Sequence, residues 1–161
     1  MVNKINIFLI LLFFYSTSFP QVENIRDWLG EWKTTYTNNF NEKTEEFLII
    51  ELIHSGSWVH FIDSGTVFSE PELKWTSSYF LTLDNELKVI GFYIDDNGYD
   101  GMSTIKGVFE DNRLILKSES QMSSCKDTWE LKNGKLFLKS IYKSKESGKT
   151  DTLEHIYTKK P

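Results

Sequence analysis

From Glu31 to the end of the chain, apolar and polar positions alternate in short segments, and turn-forming pairs break the alternation at nearly even intervals. The breaks fall at Ser55-Gly56, Ser69 to Pro71, Asp84-Asn85, Asn97-Gly98, Asp111-Asn112, Ser123-Ser124, Asn133-Gly134 and Ser147-Gly148. Spacing of about 11–15 residues between turns is the pattern of consecutive hairpins. The intervening segments are rich in Ile, Val, Leu, Thr, Phe, Tyr and Trp, which suit a pleated, half-buried surface. Asn133-Gly134 is the strongest of the turn signals, because both residues tolerate the positive φ of a type I′ hairpin.

Roughly ten strands are predicted, near 31–40, 44–54, 57–68, 72–83, 86–95, 99–110, 113–121, 125–132, 135–145 and 150–159. An open sheet of that width leaves long edges unpaired, whereas a closed barrel pairs them. The expected fold is therefore all-β, an up-and-down antiparallel barrel of about ten strands (8–10). A two-sheet sandwich is the runner-up, disfavoured because its crossovers are usually longer than these turns. Ahead of the strands, Asn24 reads as a helix N-cap, with Ile25, Trp28 and Leu29 on one face, which predicts a short N-terminal helix closing one barrel end.

Residues 1–20 depart from this pattern. Lys4 precedes an apolar run from Ile7 to Tyr15, and Ser16-Thr17-Ser18 follows, the layout of a signal peptide with cleavage after Ser18 or Pro20. The run is too short for a membrane span, which needs about 20 apolar residues. Residues 21–161 are then the mature barrel domain, exported to the periplasm or medium, with no transmembrane segment expected. The 161-residue chain carries 18 basic and 23 acidic residues, a net charge of −5, which argues against a nucleic-acid partner. Its one cysteine, Cys125, cannot form an intramolecular disulfide and reads as a buried, inert thiol.

Asp27-Trp28-Leu29-Gly30-Glu31-Trp32 places a Gly-x-Trp motif before the first strand, and in this the chain resembles the calycin superfamily of lipocalin-like barrels. The resemblance implies that Gly30 permits a tight entry into the barrel and that Trp32 closes its floor. The strand count resembles the smaller, ten-stranded, nitrobindin-type members more than eight-stranded lipocalins. The lipocalin Thr-Asp-Tyr motif is absent, and no arginine ends the last strand to cover the floor tryptophan; Lys159 is placed to substitute through a cation–π contact. Likeness to nitrobindin also implies a haem site on a late-strand histidine, for which His155 is the candidate, but the glycine-rich stretch expected after Gly-x-Trp is replaced by Lys33-Thr34-Thr35-Tyr36. No cofactor is therefore expected, with haem through His155 kept as the exception.

Alternation assigns an inward face to each strand. It holds Trp32, Thr34, Tyr36 and Phe40; Leu48, Ile50 and Leu52; Trp58, His60 and Ile62; Leu73, Trp75, Ser77, Tyr79 and Leu81. In the later strands it holds Val89, Gly91 and Tyr93; Gly101, Ser103, Ile105, Gly107 and Phe109; Leu114, Leu116 and Ser118; Trp129 and Leu131; Leu136, Leu138, Ser140 and Tyr142; and Leu153, His155 and Tyr157. The inward glycines and serines have two readings: space left for a ligand, or bulges where coiled strands bend. From this face, Tyr36, Trp58, Trp75, Tyr79, Tyr93, Tyr142 and His155 are the candidate ligand-binding residues. His54 abuts a turn and reads as exposed.

The leading expectation is a barrel that binds a small apolar or amphipathic molecule. A non-enzymatic interaction module with a filled barrel, whose outer face meets a protein or envelope polymer, is the alternative, and interior volume discriminates between them. No nucleophile elbow, His-Glu-x-x-His or phosphate loop is present, so an enzyme ranks third, resting on Asp127 as an inward carboxylate suited to proton transfer. No metal site is expected. Asp95-Asp96-Asn97-Gly98-Tyr99-Asp100 reads as an acidic turn, since its glycine is at the fourth position where a calcium loop needs the sixth.

Overall fold

A computed structural model describes residues 25–38, 41–84, 86–96 and 102–161, with the side chain of Ser55 excepted. The predicted leader 1–20, the Asn24 cap, Phe40, the Asn97-Gly98 turn and Gly101 lie outside the described residues. Among the described residues, ten strands follow a 3-10 turn at Arg26–Trp28: β1 (Gly30–Thr37), β2 (Lys43–Ile53), β3 (Trp58–Val67), β4 (Lys74–Leu83), β5 (Lys88–Asp95), β6 (Ser103–Glu110), β7 (Arg113–Glu119), β8 (Ser123–Lys132), β9 (Lys135–Ser144) and β10 (Thr150–Lys159). Every strand pairs antiparallel with its sequence neighbours, and β1 meets β10 to close the barrel. Among the described residues no helix is long and apolar enough to cross a membrane.

The turns at one end are tight. Asp111 and Asn112 join β6 to β7, and Asn133 and Gly134 join β8 to β9, all four with φ between 49° and 70°, which the primed hairpin turns require. The β7–β8 turn corrects the expectation at Ser123-Ser124, which begin β8. The chain bends instead at Ser120, whose Oγ accepts from the backbone N–H groups of Met122 and Ser123, a local bond that competes with the sheet ladder.

Among the described residues the predicted N-terminal helix is not formed; the chain makes the three-residue turn Arg26–Trp28, flanked by Ile25 and an extended Leu29. Gly30 ends it at once. Its φ of +125° is closed to residues with a Cβ, and such a Cβ would lie 3.0 Å from the Lys159 side chain. The turn nevertheless seals the barrel end, because Ile25, Trp28 and Trp32 are buried there, Trp28 against Phe109 with ring centroids 5.6 Å apart. Trp32 Nε1 donates to the Trp28 carbonyl at 2.8 Å, and Lys159 Nζ sits 5.1 Å above the Trp32 ring while donating to the Asp27 carbonyl.

The expected inward face is found in every strand but β3. There Val59, Phe61 and Val67 are buried, and Trp58, His60 and Ile62 point outward. Both faces of β3 carry large apolar residues, so alternation gives two equal solutions. The register decides between them: Phe61 stands opposite the buried Ile50 of β2 and Tyr79 of β4. His60 stacks outside on Phe80 at 4.3 Å and pairs with Glu51 at 3.1 Å.

Inward polarity changes along the barrel axis. Toward the sealed end the inward residues are Trp32, Ile50, Leu83, Val89, Phe109, Leu114, Trp129 and Leu136, joined in one apolar core. Toward the other end the same strands turn inward Tyr36, Glu46, Asp63, Ser77, Tyr93, Ser103, Ser118, Asp127, Ser140 and His155. The closed end holds the fold together, and the open end holds the polar groups.

Candidate functional site

The open half of the barrel divides into a packed polar cluster and a cavity. The cluster lies behind the closing seam, where β1 and β10 share only the pairs Trp32↔Lys159 and Lys33↔Thr158, far fewer than any other neighbours. Above that point side chains replace the missing ladder bonds. Tyr36 of β1 stacks on His155 of β10 at 4.0 Å, Tyr157 of β10 donates to Glu46 of β2, and His155 Nδ1 lies 3.4 Å from Glu46 Oε2, close enough to pair but not aligned for a hydrogen bond. Glu46 and His155 are 4% and 7% exposed.

Burial opposes ionisation of Glu46, but His155 and Tyr157 outweigh it and hold its carboxyl below the usual range. Asp63 of β3 is pushed well above that range by burial and by the charge of Glu46. Glu46 is thus the anion and Asp63 the protonated partner, the expected division for two carboxyls sharing one site. Burial, then the charge of Glu46, also raises the phenols of Tyr36 and Tyr157, which remain protonated donors.

The cavity fills the other side of the open half and has a volume of about 680 Å³. Its walls come from seven consecutive strands. Tyr79 of β4, Tyr93 and Asp95 of β5, Ser103 of β6, Ser118 of β7, Cys125 and Asp127 of β8, Ser140 and Tyr142 of β9 and Leu153 of β10 line it, with Ser120, Met122 and Ser123 at the β7–β8 turn. Tyr79 and Tyr93 meet edge to face at 4.9 Å.

Asp127 lies deepest along its strand toward the apolar floor, one inward position above Trp129, and is 4% exposed. Its carboxylate accepts from Cys125 Sγ at 3.2 Å and from Tyr79 OH at 3.4 Å. Burial raises its pKa despite stabilising bonds from Ser140, Cys125 and Tyr79. Cys125 also contacts Ser140 Oγ at 3.1 Å, and burial followed by the Asp127 charge pushes its thiol up to about 12. It is therefore not a nucleophile at neutral pH, since the thiolate is the reactive form.

Of the predicted ligand-binding residues, Tyr79, Tyr93 and Tyr142 are brought together on the cavity wall. Tyr36 and His155 point inward but belong to the seam cluster. Trp75 points inward and covers Gly65, where an added Cβ would fall 2.0 Å from its ring. Trp58 is outside, lining a shallow outer groove of about 290 Å³ with Ile53, His54, Phe80 and Phe92. The reversed inward face of β3 accounts for that displacement.

The inward glycines are not the source of the space. A Cβ on Gly91 would lie 2.1 Å from the Phe80 carbonyl oxygen, and one on Gly107 would lie 2.2 Å from that of Ile115, so these glycines admit neighbouring backbone. Short serine side chains line the volume instead. Ser103, Ser118 and Ser140 follow from alternation, and Asp95 and Ser120 continue it at the ends of their predicted strands; Met122 and Ser123 sit at a turn that alternation does not resolve. Glu46 shares the face of Leu48 and Ile50 and was legible by the same rule, whereas Asp63 was hidden by the β3 inversion.

The His155 ring stacks on Tyr36 with its Nδ1 facing Glu46, and it is not among the residues that line the cavity. What the cavity residues can do is donate hydrogen bonds from their hydroxyls, accept them at hydroxyl and carboxyl oxygens, and stack against flat or alkyl groups. Neither the known protein-family models nor the curated proteins contain a match to this chain.

Proposed function

We propose that this chain is an exported, calycin-like barrel that binds a small amphipathic molecule in the open half of its interior. The cavity of about 680 Å³ carries the reading, since it falls within the range of about 300–1,000 Å³ typical of small-molecule sites. Three tyrosines with Met122 and Leu153 supply apolar contact, while serine hydroxyls and Asp127 supply a few fixed polar partners. That mixture favours an amphipathic ligand over a purely apolar one, which would leave buried polar groups unpaired. Gly30 and Trp32 at the sealed floor, together with the closed ten-strand barrel, support membership of the calycin superfamily. The leader-like residues 1–20 support export.

The interaction-module reading requires a filled barrel, and its remaining support is the outer groove beside Trp58 and Phe92. Native mass spectrometry of the protein isolated from its own host separates the two. The expected result is an added mass that is lost on denaturation. A bare native mass, with no small molecule taken up on titration, would instead direct attention to the outer face.

A further inference from the structure

We infer that the cavity selects organic ammonium ions, with Asp127 as the counter-charge at its inner end and Tyr79 and Tyr93 as the aromatic wall beside the cation. This inference rests on the ligand-binding reading above and names the class of ligand for the same site. The lining supplies two carboxylates, from Asp127 and Asp95, and it includes no lysine, arginine or histidine among the described residues. A fatty-acid carboxylate would therefore enter a space that offers it no counter-charge, at a large desolvation cost. An ammonium group meets the opposite situation. It can donate to Asp127 in a charge-assisted bond, to the hydroxyl oxygens of Ser118 and Ser140, and to the tyrosine π-faces.

Placement along the barrel supports the same orientation. Asp127 sits just above the apolar core, whereas Met122, Tyr142 and Leu153 lie nearer the opening. A ligand with its ammonium head inward leaves its hydrocarbon portion against these outer residues.

The groups facing Asp127 are Tyr79 from β4 and Ser140 from β9, with Cys125 on its own strand. Tyr93 and Asp95 of β5 and Asp63 of β3 lie beyond Tyr79, and none of these is a cation. In the empty cavity burial therefore favours the protonated carboxyl. Where Asp127 still holds its proton, uptake of an ammonium ion releases that proton to solvent and leaves a carboxylate–ammonium pair. Amine affinity then rises with pH through the titration of Asp127, while affinity for a neutral ligand does not.

Isothermal titration with decylamine, decanol and decanoate tests this, because the three share one chain and differ only in the head group. Decylamine is expected to bind about ten- to hundredfold more tightly than decanol, and decanoate most weakly. In Asp127→Asn the amine is expected to bind no more tightly than decanol. A second readout needs no variant: decylamine titrated into the wild-type protein at acidic pH, in two buffers of different ionisation enthalpy, is expected to report proton release. An amine no tighter than the alcohol, or an advantage retained in Asp127→Asn, overturns the inference and leaves the cavity reading standing. Failure of all three to bind overturns the cavity reading itself.

Discussion

The two halves of this barrel are built from the same strands and differ only in what those strands turn inward. Along β8 the inward side chains run from Leu131 and Trp129 at the floor through Asp127, just above it, to Cys125 nearer the opening, and along β9 from Leu136 and Leu138 through Ser140 to Tyr142. The floor half is filled, with Trp28, Leu114, Leu136 and Tyr157 fully buried. The open half retains a cavity because hydroxyls and carboxyls stand where bulkier apolar groups would interdigitate. Stability is concentrated at one end, which frees the other to carry polar groups that a core does not tolerate unpaired.

The largest effect that separates the halves is expected from truncating the floor. Trp32→Ala removes the side chain that bonds the Trp28 carbonyl and supports Lys159, at a cost of about 3–5 kcal/mol. Ser118→Ala on the cavity wall is expected within about 0.5 kcal/mol of the wild type. Urea denaturation of both variants checks the contrast; comparable losses would mean that the open half is as tightly packed as the floor.

The seam cluster ranks next. Glu46→Gln weakens the pairing with Tyr157 and His155 that bridges β1, β2 and β10, with an expected loss of about 1–3 kcal/mol at neutral pH. Because the folded-state pKa of Glu46 is lowered, its contribution is present above its ordinary value of 4.5 and is lost as pH falls through the folded value. Melting curves of the two proteins should therefore differ at pH 7 and converge in acid. A difference independent of pH would remove the ionised Glu46 from the account.

Asp127 has the opposite sign. Its folded-state pKa is raised, so its contribution is fully present below the ordinary value of 3.8 and declines as pH rises through the folded value. Asp127→Asn is accordingly expected to gain stability relative to wild type as pH increases, by up to about 1–3 kcal/mol, because burial disfavours the ionised carboxylate despite its bonds. A variant that loses ground with rising pH would show that the carboxylate is a structural anchor like Glu46. A smaller loss is expected at the floor rim, where Lys159→Ala removes a cation–π contact worth about 0.5–1 kcal/mol, measurable as a small drop in Tm.

Most of the fold was legible because a closed barrel imposes a period of two on every strand and punctuates it with turn residues whose backbone is constrained. Asn133-Gly134 and Asp111-Asn112 turn where the sequence places them, and Gly30 has the positive φ that a tight entry implies. The helix was overestimated because Ile25, Trp28 and Leu29 satisfy a helical spacing, which a single 3-10 turn satisfies as well. β3 defeated alternation for a different reason. Its outward face carries Trp58, His60 and Ile62, covered partly by Phe80 and Phe92, and its inward face includes Asp63 and Gly65, so polarity points the wrong way.

The site was less legible than the fold. Tyr79, Tyr93 and Tyr142 are legible because alternation alone puts them on the inward face. The division of the open half into a packed seam and a cavity depends on the short β1–β10 ladder, a pairing between residues at opposite ends of the chain that no local pattern reports. The serines that create the volume, and the glycines that do not, carry the same signal in sequence and opposite roles in space.

A titration of the isotopically labelled protein with decylamine, followed by two-dimensional amide NMR, tests the division of labour most directly. The account predicts shifts at Tyr93, Ser118, Asp127 and Ser140 while the indole signals of Trp28 and Trp32 stay fixed. Shifts confined to Trp58, Phe80 and Phe92 on the outer face, or a spectrum that does not respond at all, would contradict it.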